Sequence, residues 1–180
     1  KKGSVGVAIP GAISPVTGLV KNANSTRLIG HPLDRDLAAA LHRPVRVAND
    51  ANCFALSEAT DGAGQGCNVV FGIIAGTGVG GGVCVSGRVL TGPHAIAGEW
   101  GHNPLPAPND DEIADARNCY CGKRGCIEAW CSGPALAADH KRHTGQQMTA
   151  PEIAASTDRA ARATMERFYD RFARAIATLV

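Results

Sequence analysis

Asp50 stands where a short apolar run, Val45–Ala48, gives way to the alanine-containing stretch Ala51–Ala59. The pattern predicts a strand running into Asn49-Asp50 and a helix leading away from it. In open α/β sheets, ligands gather at the carboxyl ends of strands. An aspartate fixed there can take the proton of a substrate hydroxyl while that hydroxyl attacks a phosphoryl group. Aspartate also caps helices well, and position alone leaves both uses open. Asn49 and Asn52 lie on either side. Their amides can donate to and accept from sugar hydroxyls, or satisfy local backbone.

A second constellation joins His102 to Cys119, Cys121 and Cys126. The spacing Cys-x-Cys-x4-Cys, with Gly122 and Gly125 inside it, predicts a knuckle whose backbone wraps an ion. Three thiolates and one imidazole suit a tetrahedral structural zinc and leave no open position for catalysis. Free thiols in a reducing compartment are the alternative. Glu99 lies just before His102 and Glu128 just after Cys126. A metal clamp between His102 and Cys126 would draw these two carboxylates together beside a polyhydroxyl ligand. The same pair could also serve a glycosidase, but that use leaves the glycines described next without a task. Cys53, Cys67, Cys84 and Cys131 have no ligand spacing and are expected to be packed thiols. His31, His42, His94, His140 and His143 have no partner pattern and are expected on the surface or in loops.

The third signal is Gly76-Thr77-Gly78-Val79-Gly80-Gly81-Gly82. Backbone N–H groups freed by glycine turns can form a concave anion site, and Thr77 could add a hydroxyl. No Gly-Lys-Ser/Thr follows, so this is not a Walker A loop. A strand rather than a helix follows, which fits a dinucleotide fold poorly. A tight hairpin accounts for the glycines equally well.

The elements that must hold these residues alternate in kind. Val5–Ile9 reads as a buried strand ending at Pro10-Gly11, and Ser14–Gly18 as a loop or hairpin tip. Leu33–Leu41 reads as a helix broken by Pro44. Val69–Ile74 is a strand entering the glycine loop, and Val83–Val85 with Val89-Leu90 form a hairpin around Gly87. Pro104–Asn118 reads as a polar excursion. Met165, Phe168, Tyr169, Phe172, Ile176 and Leu179 recur at three- and four-residue steps, one face of an amphipathic helix. Both chain ends read as cut from a longer protein.

Composition supports a folded core: 44% of the 180 residues are hydrophobic and 19% charged. The net charge of +2 and the scattered Lys and Arg residues give no nucleic-acid or membrane surface. No apolar run could span a bilayer. The cysteines do not read as a disulfide framework, and a cytoplasmic location is expected.

Taken together, Asn49-Asp50-Ala51-Asn52, Gly76–Gly82, Gly98-Glu99-Trp100-Gly101-His102 and Cys119–Glu128 resemble, in order, the motifs of the ROK family of repressors, open-reading-frame proteins and sugar kinases. Lys21–Thr26 and Gly98–Pro106 look most like its bacterial fructokinase or mannokinase branch. The resemblance implies an α/β, actin-like (ribonuclease H-like) ATPase fold of two lobes with sugar in the cleft. Residues 1–50 would be the remnant of the N-terminal lobe, and residues 51–180 the second lobe, with the zinc knuckle inserted at 119–126. The family's opening Asp-x-Gly-Gly-Thr loop and its late Gly-Gly-Gly segment are not found here, so the chain looks like an internal fragment with its first lobe incomplete. The fragment alone is expected to bind ATP poorly.

By the same resemblance Asp50 is the base that activates the sugar 6-hydroxyl towards ATP. Asn49, Glu99, His102 and Glu128 match sugar-contacting positions, and Gly11, Asn24 and Thr26 lie where the first lobe approaches the sugar. Gly76, Thr77, Gly78, Gly80 and Gly81 match the second phosphate loop, and His102, Cys119, Cys121 and Cys126 the zinc ligands. His102 would serve sugar and zinc through its two ring nitrogens. ATP, Mg2+ and a structural Zn2+ are the implied cofactors, and a homodimer the implied assembly. Fructose is the expected hexose. Glucose, mannose or an N-acetylhexosamine are alternatives, as is a non-enzymatic sugar-sensing repressor.

Overall fold

The computed structural model describes residues 3–23 and 25–179. They form an α/β protein that divides into two compact units, residues 1–73 with 81–98 and residues 74–80 with 99–180. Each is described by itself.

In the first unit, β1 (Val5–Ile9) leads through Gly11 into a short hairpin of β2 (Ala12–Ile13) and β3 (Val20–Lys21). Helix α1 (Leu33–Leu41) follows, with Asp34 and Asp36 in its first turn, where the helix dipole favours acidic groups. β4 (Val45–Asn49) then pairs parallel with β1, in the register Val5↔Val45 to Ile9↔Asn49. Ile9, Val20 and Ala23 form the buried core here, with Val7, Ile13, Leu28, Leu33 and Val47 packed around them.

Helix α2 (Asp50–Asp61) follows β4 directly and buries Ala51 and Ala55. A Cβ on Gly72 would stand 3.0 Å from Ala55, and one on Gly82 would run into the Ala51 carbonyl. Glycine is therefore required where the helix meets β5 (Val69–Ala75) and β6 (Val79–Val85), which with β7 (Arg88–Leu90) form a three-stranded sheet in the order β5-β6-β7. The glycine loop is shorter than the sequence suggested. Only Gly76–Gly78 form the turn, while Gly80, Gly81 and Gly82 lie within β6. Their bareness answers a packing need, since a Cβ on Gly81 would stand 2.5 Å from the Phe71 ring.

The second unit is largely helical. The excursion over 104–118 contains α3 (Asp110–Ala114), started by a capping box between Asn109 and Glu112. α4 (Glu128–Cys131) and α5 (Gly133–Thr144) follow the knuckle, then α6 (Ala150–Ala155) and α7 (Arg159–Ile176). Leu136, Ile153 and Ala161 form an apolar core with Met148, Met165 and Phe168 against it.

α7 departs from the expected apolar stripe. Its buried residues are Ala161, Thr164, Arg171 and Ala175, while Tyr169 is 59% exposed. Arg171 is held by two buried carboxylates, donating from Nε to Glu112 at 2.7 Å and from Nη1 to Asp139 at 2.9 Å. Asp139 also accepts from Arg117 and Arg167. Burial alone would raise both carboxyls, but the hydrogen bonds from Arg171 with Arg167 and Arg174 outweigh it and hold both below the usual range. The guanidinium groups of Arg117 and Arg171 both lie over the Trp130 ring, at 4.1 and 4.7 Å from its centroid.

One of the histidines expected at the surface, His140, is structural, while His143 is exposed as expected. His140 is fully buried in α5 and its Nδ1 meets the Thr164 hydroxyl at 3.0 Å. His143 Nδ1 donates to the Asp139 carbonyl. Of the cysteines expected to pack, Cys84 and Cys131 are buried but Cys67 is exposed.

Candidate functional site

The N-cap of α2 is Asn49, not Asp50. The Asn49 Oδ1 accepts the Asn52 N–H at 3.0 Å, and its Nδ2 donates to the Gly11 carbonyl at 3.0 Å. Gly11 sits at φ +77°, where a Cβ would run into the Lys21 carbonyl, so only glycine presents that acceptor to Asn49. Asp50 becomes the first helical residue. Its carboxylate is exposed and bonded locally to the Ala51 N–H at 2.8 Å. Thr26 is exposed and opens a 3-10 turn, Thr26–Leu28. Asn24 lies outside the described residues.

In the second unit the turn Gly76–Gly78 is held from below. Gly76 N–H donates to the Gly78 carbonyl, and Gly133 N–H to the Gly76 carbonyl, both at 2.8 Å. The Glu128 Oε2 accepts the Val79 N–H at 2.8 Å. A Cβ on Gly78 would stand 2.6 Å from that oxygen. Thr77 is exposed at the tip. Glu128 thus braces the glycine turn, a task its sequence position did not signal. Its Oε1 lies 4.0 Å from the Cys119 sulfur, so the same side chain borders the knuckle.

Glu99 precedes a 3-10 turn, Trp100–His102, and His102 N–H returns to the Glu99 carbonyl at 3.2 Å. Trp100 is buried, and its indole N–H donates to the Gly80 carbonyl at 3.0 Å. A Cβ on Gly101 would collide with the Val79 carbonyl. His102 is therefore delivered by a turn locked to the glycine hairpin.

The knuckle is fastened to the same turn. Ile127 N–H donates to the Asn103 carbonyl and Leu105 N–H to the Gly125 carbonyl, each at 2.9 Å. Cys119 N–H donates to the Lys123 carbonyl at 2.8 Å, and Gly122 and Gly125 supply positive φ. One ligand atom from each of His102, Cys119, Cys121 and Cys126 then lies within 4.8 Å of the others. The Cys121 and Cys126 sulfurs are 3.7 Å apart, and His102 Nδ1 is 3.4 Å from the Cys119 sulfur. Around a tetrahedral zinc, neighbouring ligand atoms stand roughly 3.5–3.8 Å apart, so this donor set fits the ion. Without a cation, burial and the adjoining Cys121 and Cys119 push the Cys126 thiol up to about 12, and burial also raises Cys119. A bound metal ion reverses that order by taking thiolates as ligands.

The second nitrogen of His102 has a partner the sequence did not suggest. Nε2 lies 3.0 Å from the Tyr120 hydroxyl, with the two rings edge-on at 5.0 Å. Partial desolvation of that hydroxyl, and then the carboxylates of Glu128 and Glu99, push the phenol up to about 12. Tyr120 is thus in electrostatic reach of both carboxylates.

The family model described as "ROK family" matches residues 1–180. An N-acetyl-D-glucosamine kinase of Escherichia coli O127:H6 is 44% identical over 178 residues, covering 96% of this chain and 59% of the relative. The chain thus spans about three fifths of the curated relatives it matches. A ROK hexokinase from Thermus thermophilus superposes with a TM-score of 0.81 at 31% identity, covering 98% of this chain and 58% of that one. A ROK family glucokinase from Streptomyces griseus, solved with glucose and AMPPNP, does so with a TM-score of 0.79 at 25% identity, covering 99% and 62%. These structures bear out the α/β two-lobe sugar-kinase fold expected from the sequence.

The fructokinase or mannokinase branch is corrected. Relatives at 44% identity carry the name N-acetyl-D-glucosamine kinase instead. The segment Gly98–Pro106 misled because much of it is structural: Trp100 and Leu105 are buried, and Gly98 packs on the Gly81 carbonyl. Such residues hold a backbone and do not report which substituent a sugar carries.

Proposed function

Because this chain belongs to the ROK family, we propose that its protein transfers the γ-phosphoryl group of ATP to the 6-hydroxyl of an N-acetylated hexosamine, N-acetylglucosamine first. The observation that carries the reading is the 44% identity to N-acetyl-D-glucosamine kinases over 178 residues.

In this reading Asp50 is the general base. The sugar hydroxyl oxygen forms the new bond to the γ-phosphorus, its proton passes to the Asp50 carboxylate, and the β–γ bridging bond breaks to release ADP. The capping of α2 by Asn49 supports this role, since it leaves the Asp50 carboxylate exposed. Asn49, Glu99, His102 and Glu128 bind the sugar, with Gly11, Asn24 and Thr26 as further contacts. One Glu128 oxygen is engaged by Val79, and the other, 4.0 Å from the Cys119 sulfur, has acceptor capacity for a ligand hydroxyl. Gly76, Thr77, Gly78, Gly80 and Gly81 form the phosphate loop, and Thr77 offers an exposed hydroxyl at its turn. Mg2+ bound with ATP would neutralise charge on the transferring group. A structural zinc on His102, Cys119, Cys121 and Cys126 would hold the His102 ring and the start of α4 in place. The lobe division after residue 50 and a homodimeric assembly belong to the same proposal.

The test is a coupled ATP assay of the full-length protein on N-acetylglucosamine, N-acetylmannosamine, glucose and fructose, beside Asp50→Asn. We expect the highest kcat/KM on N-acetylglucosamine, and a kcat about 10²–10⁴-fold lower in the variant with sugar binding kept. Sugar binding without turnover of any hexose would instead identify a sensor.

A further inference from the structure

We infer that Tyr120 is a displaceable cap on His102: its hydroxyl holds, in the free protein, the hydrogen-bonding place on His102 Nε2 that a substrate hydroxyl takes when sugar binds. This rests on the reading of His102 as a sugar contact.

The geometry gives the two ring nitrogens different tasks. Nδ1 faces the Cys119 sulfur at 3.4 Å and belongs to the cysteine cluster. An imidazole that offers the Nδ1 lone pair to a metal keeps its proton on Nε2. Nε2–H is then a donor, and the Tyr120 oxygen at 3.0 Å is its acceptor. A sugar hydroxyl presents the same kind of acceptor. Only one oxygen can occupy the position in line with that N–H, so ligand and phenol compete for it.

Tyr120 is built to give way. Its backbone is fixed between Cys119 and Cys121 by the Cys119-to-Lys123 and Gly122-to-Cys119 hydrogen bonds. Tyr120 is 72% exposed, so little packing opposes rotation about χ1. The ring meets the imidazole only by its edge. The Glu128 carboxylate borders the same knuckle, with its Oε1 4.0 Å from the Cys119 sulfur. While it remains, the cap fixes the His102 ring. A ligand without an acceptor at that place cannot open it, which makes Tyr120 a determinant of specificity.

The experiment is Tyr120→Phe in the full-length protein, with N-acetylglucosamine as the probe. Three quantities are measured: the dissociation constant by calorimetry, KM and kcat by the coupled assay, and zinc content. Removing the competing oxygen should lower the dissociation constant and KM about two- to tenfold, the range of one net hydrogen bond. The shift should sit in KM rather than kcat, at wild-type zinc content. Tyr120→Ala should move the dissociation constant in the same direction. Unchanged or weaker sugar binding in both variants would overturn the cap. The binding measurement needs no turnover, so a wild-type protein that binds sugar but phosphorylates none refutes the kinase reading and leaves the cap tested on its own.

Discussion

Where α2 meets β5 and β6, the first unit closes on missing side chains. Ala51 and Ala55 lie against Gly72 and Gly82, and backbone nearly touches backbone. Where α5 meets α7, the second unit closes on charged side chains instead. Asp139 is 1% exposed yet accepts from three arginines. The two solutions fail differently. Close glycine packing tolerates no added volume, and is indifferent to proton concentration and salt. A buried ionic cluster tolerates small changes of volume but not the loss of one charge. Each candidate residue inherits the character of its surroundings: Asp50 rides on the glycine-packed helix, and His102 and Glu128 on a framework of polar contacts.

The largest break in this comparison should come from Asp139→Ala. It leaves Arg117, Arg167 and Arg171 without their shared carboxylate, at an expected cost of about 3–5 kcal/mol. Denaturant unfolding of the full-length protein would show it. Peptide-resolved hydrogen exchange should place the loosening in α5 and α7 and leave α2 protected.

Acid should reach the same place more gently, because a protonated carboxyl still accepts hydrogen bonds. Asp139 and Glu112 are held below their ordinary pKa in the folded state. Between the folded and unfolded values the unfolded chain therefore binds more protons. The stabilisation is complete above the unfolded values, about 4, and is lost as pH falls through the lower, folded values. Exchange in α7 should rise below about pH 4 well before exchange in α2 does. Simultaneous loss in both would erase the contrast.

Gly82→Ala sharpens the other side. The added methyl meets the Ala51 carbonyl, and overpacking of this kind costs about 1–3 kcal/mol. The loss should be the same at pH 4 and pH 7. The smallest effect is expected from Asn49→Ala, which removes the α2 cap for about 1 kcal/mol and frees the Gly11 carbonyl. Faster exchange confined to the first turn of α2 would bear this out.

What could be read in advance follows the same division. β1, α1, β4 and α2 were legible because periodicity, Pro44 and the Asn49-Asp50 junction act over a few residues. The clustering of His102, Cys119, Cys121 and Cys126 was legible because thiol and imidazole chemistry admits few alternatives at that spacing. α7 was legible as a helix, and Met165 and Phe168 of its apolar stripe do pack on the core, but its fully buried positions were not legible. Arg171 counts as polar until Asp139 and Glu112, far away in sequence, are seen to enclose it. Glu112 lay hidden in a stretch that looked like loop, although Asn109-x-x-Glu112 is a capping box. Tyr120 and the bracing role of Glu128 escaped for a similar reason. Each depends on a single long-range contact, and nothing in residue type or spacing announces it.

Trp130 carries one more consequence. It is 2% exposed and lies against two guanidinium groups that Asp139 and Glu112 hold in place. Loosening that cluster would admit water and move both cations away from the ring. With Trp100 replaced by phenylalanine, the emission of Trp130 is therefore a native optical gauge of the second unit's ionic core, readable without any label attached to the protein.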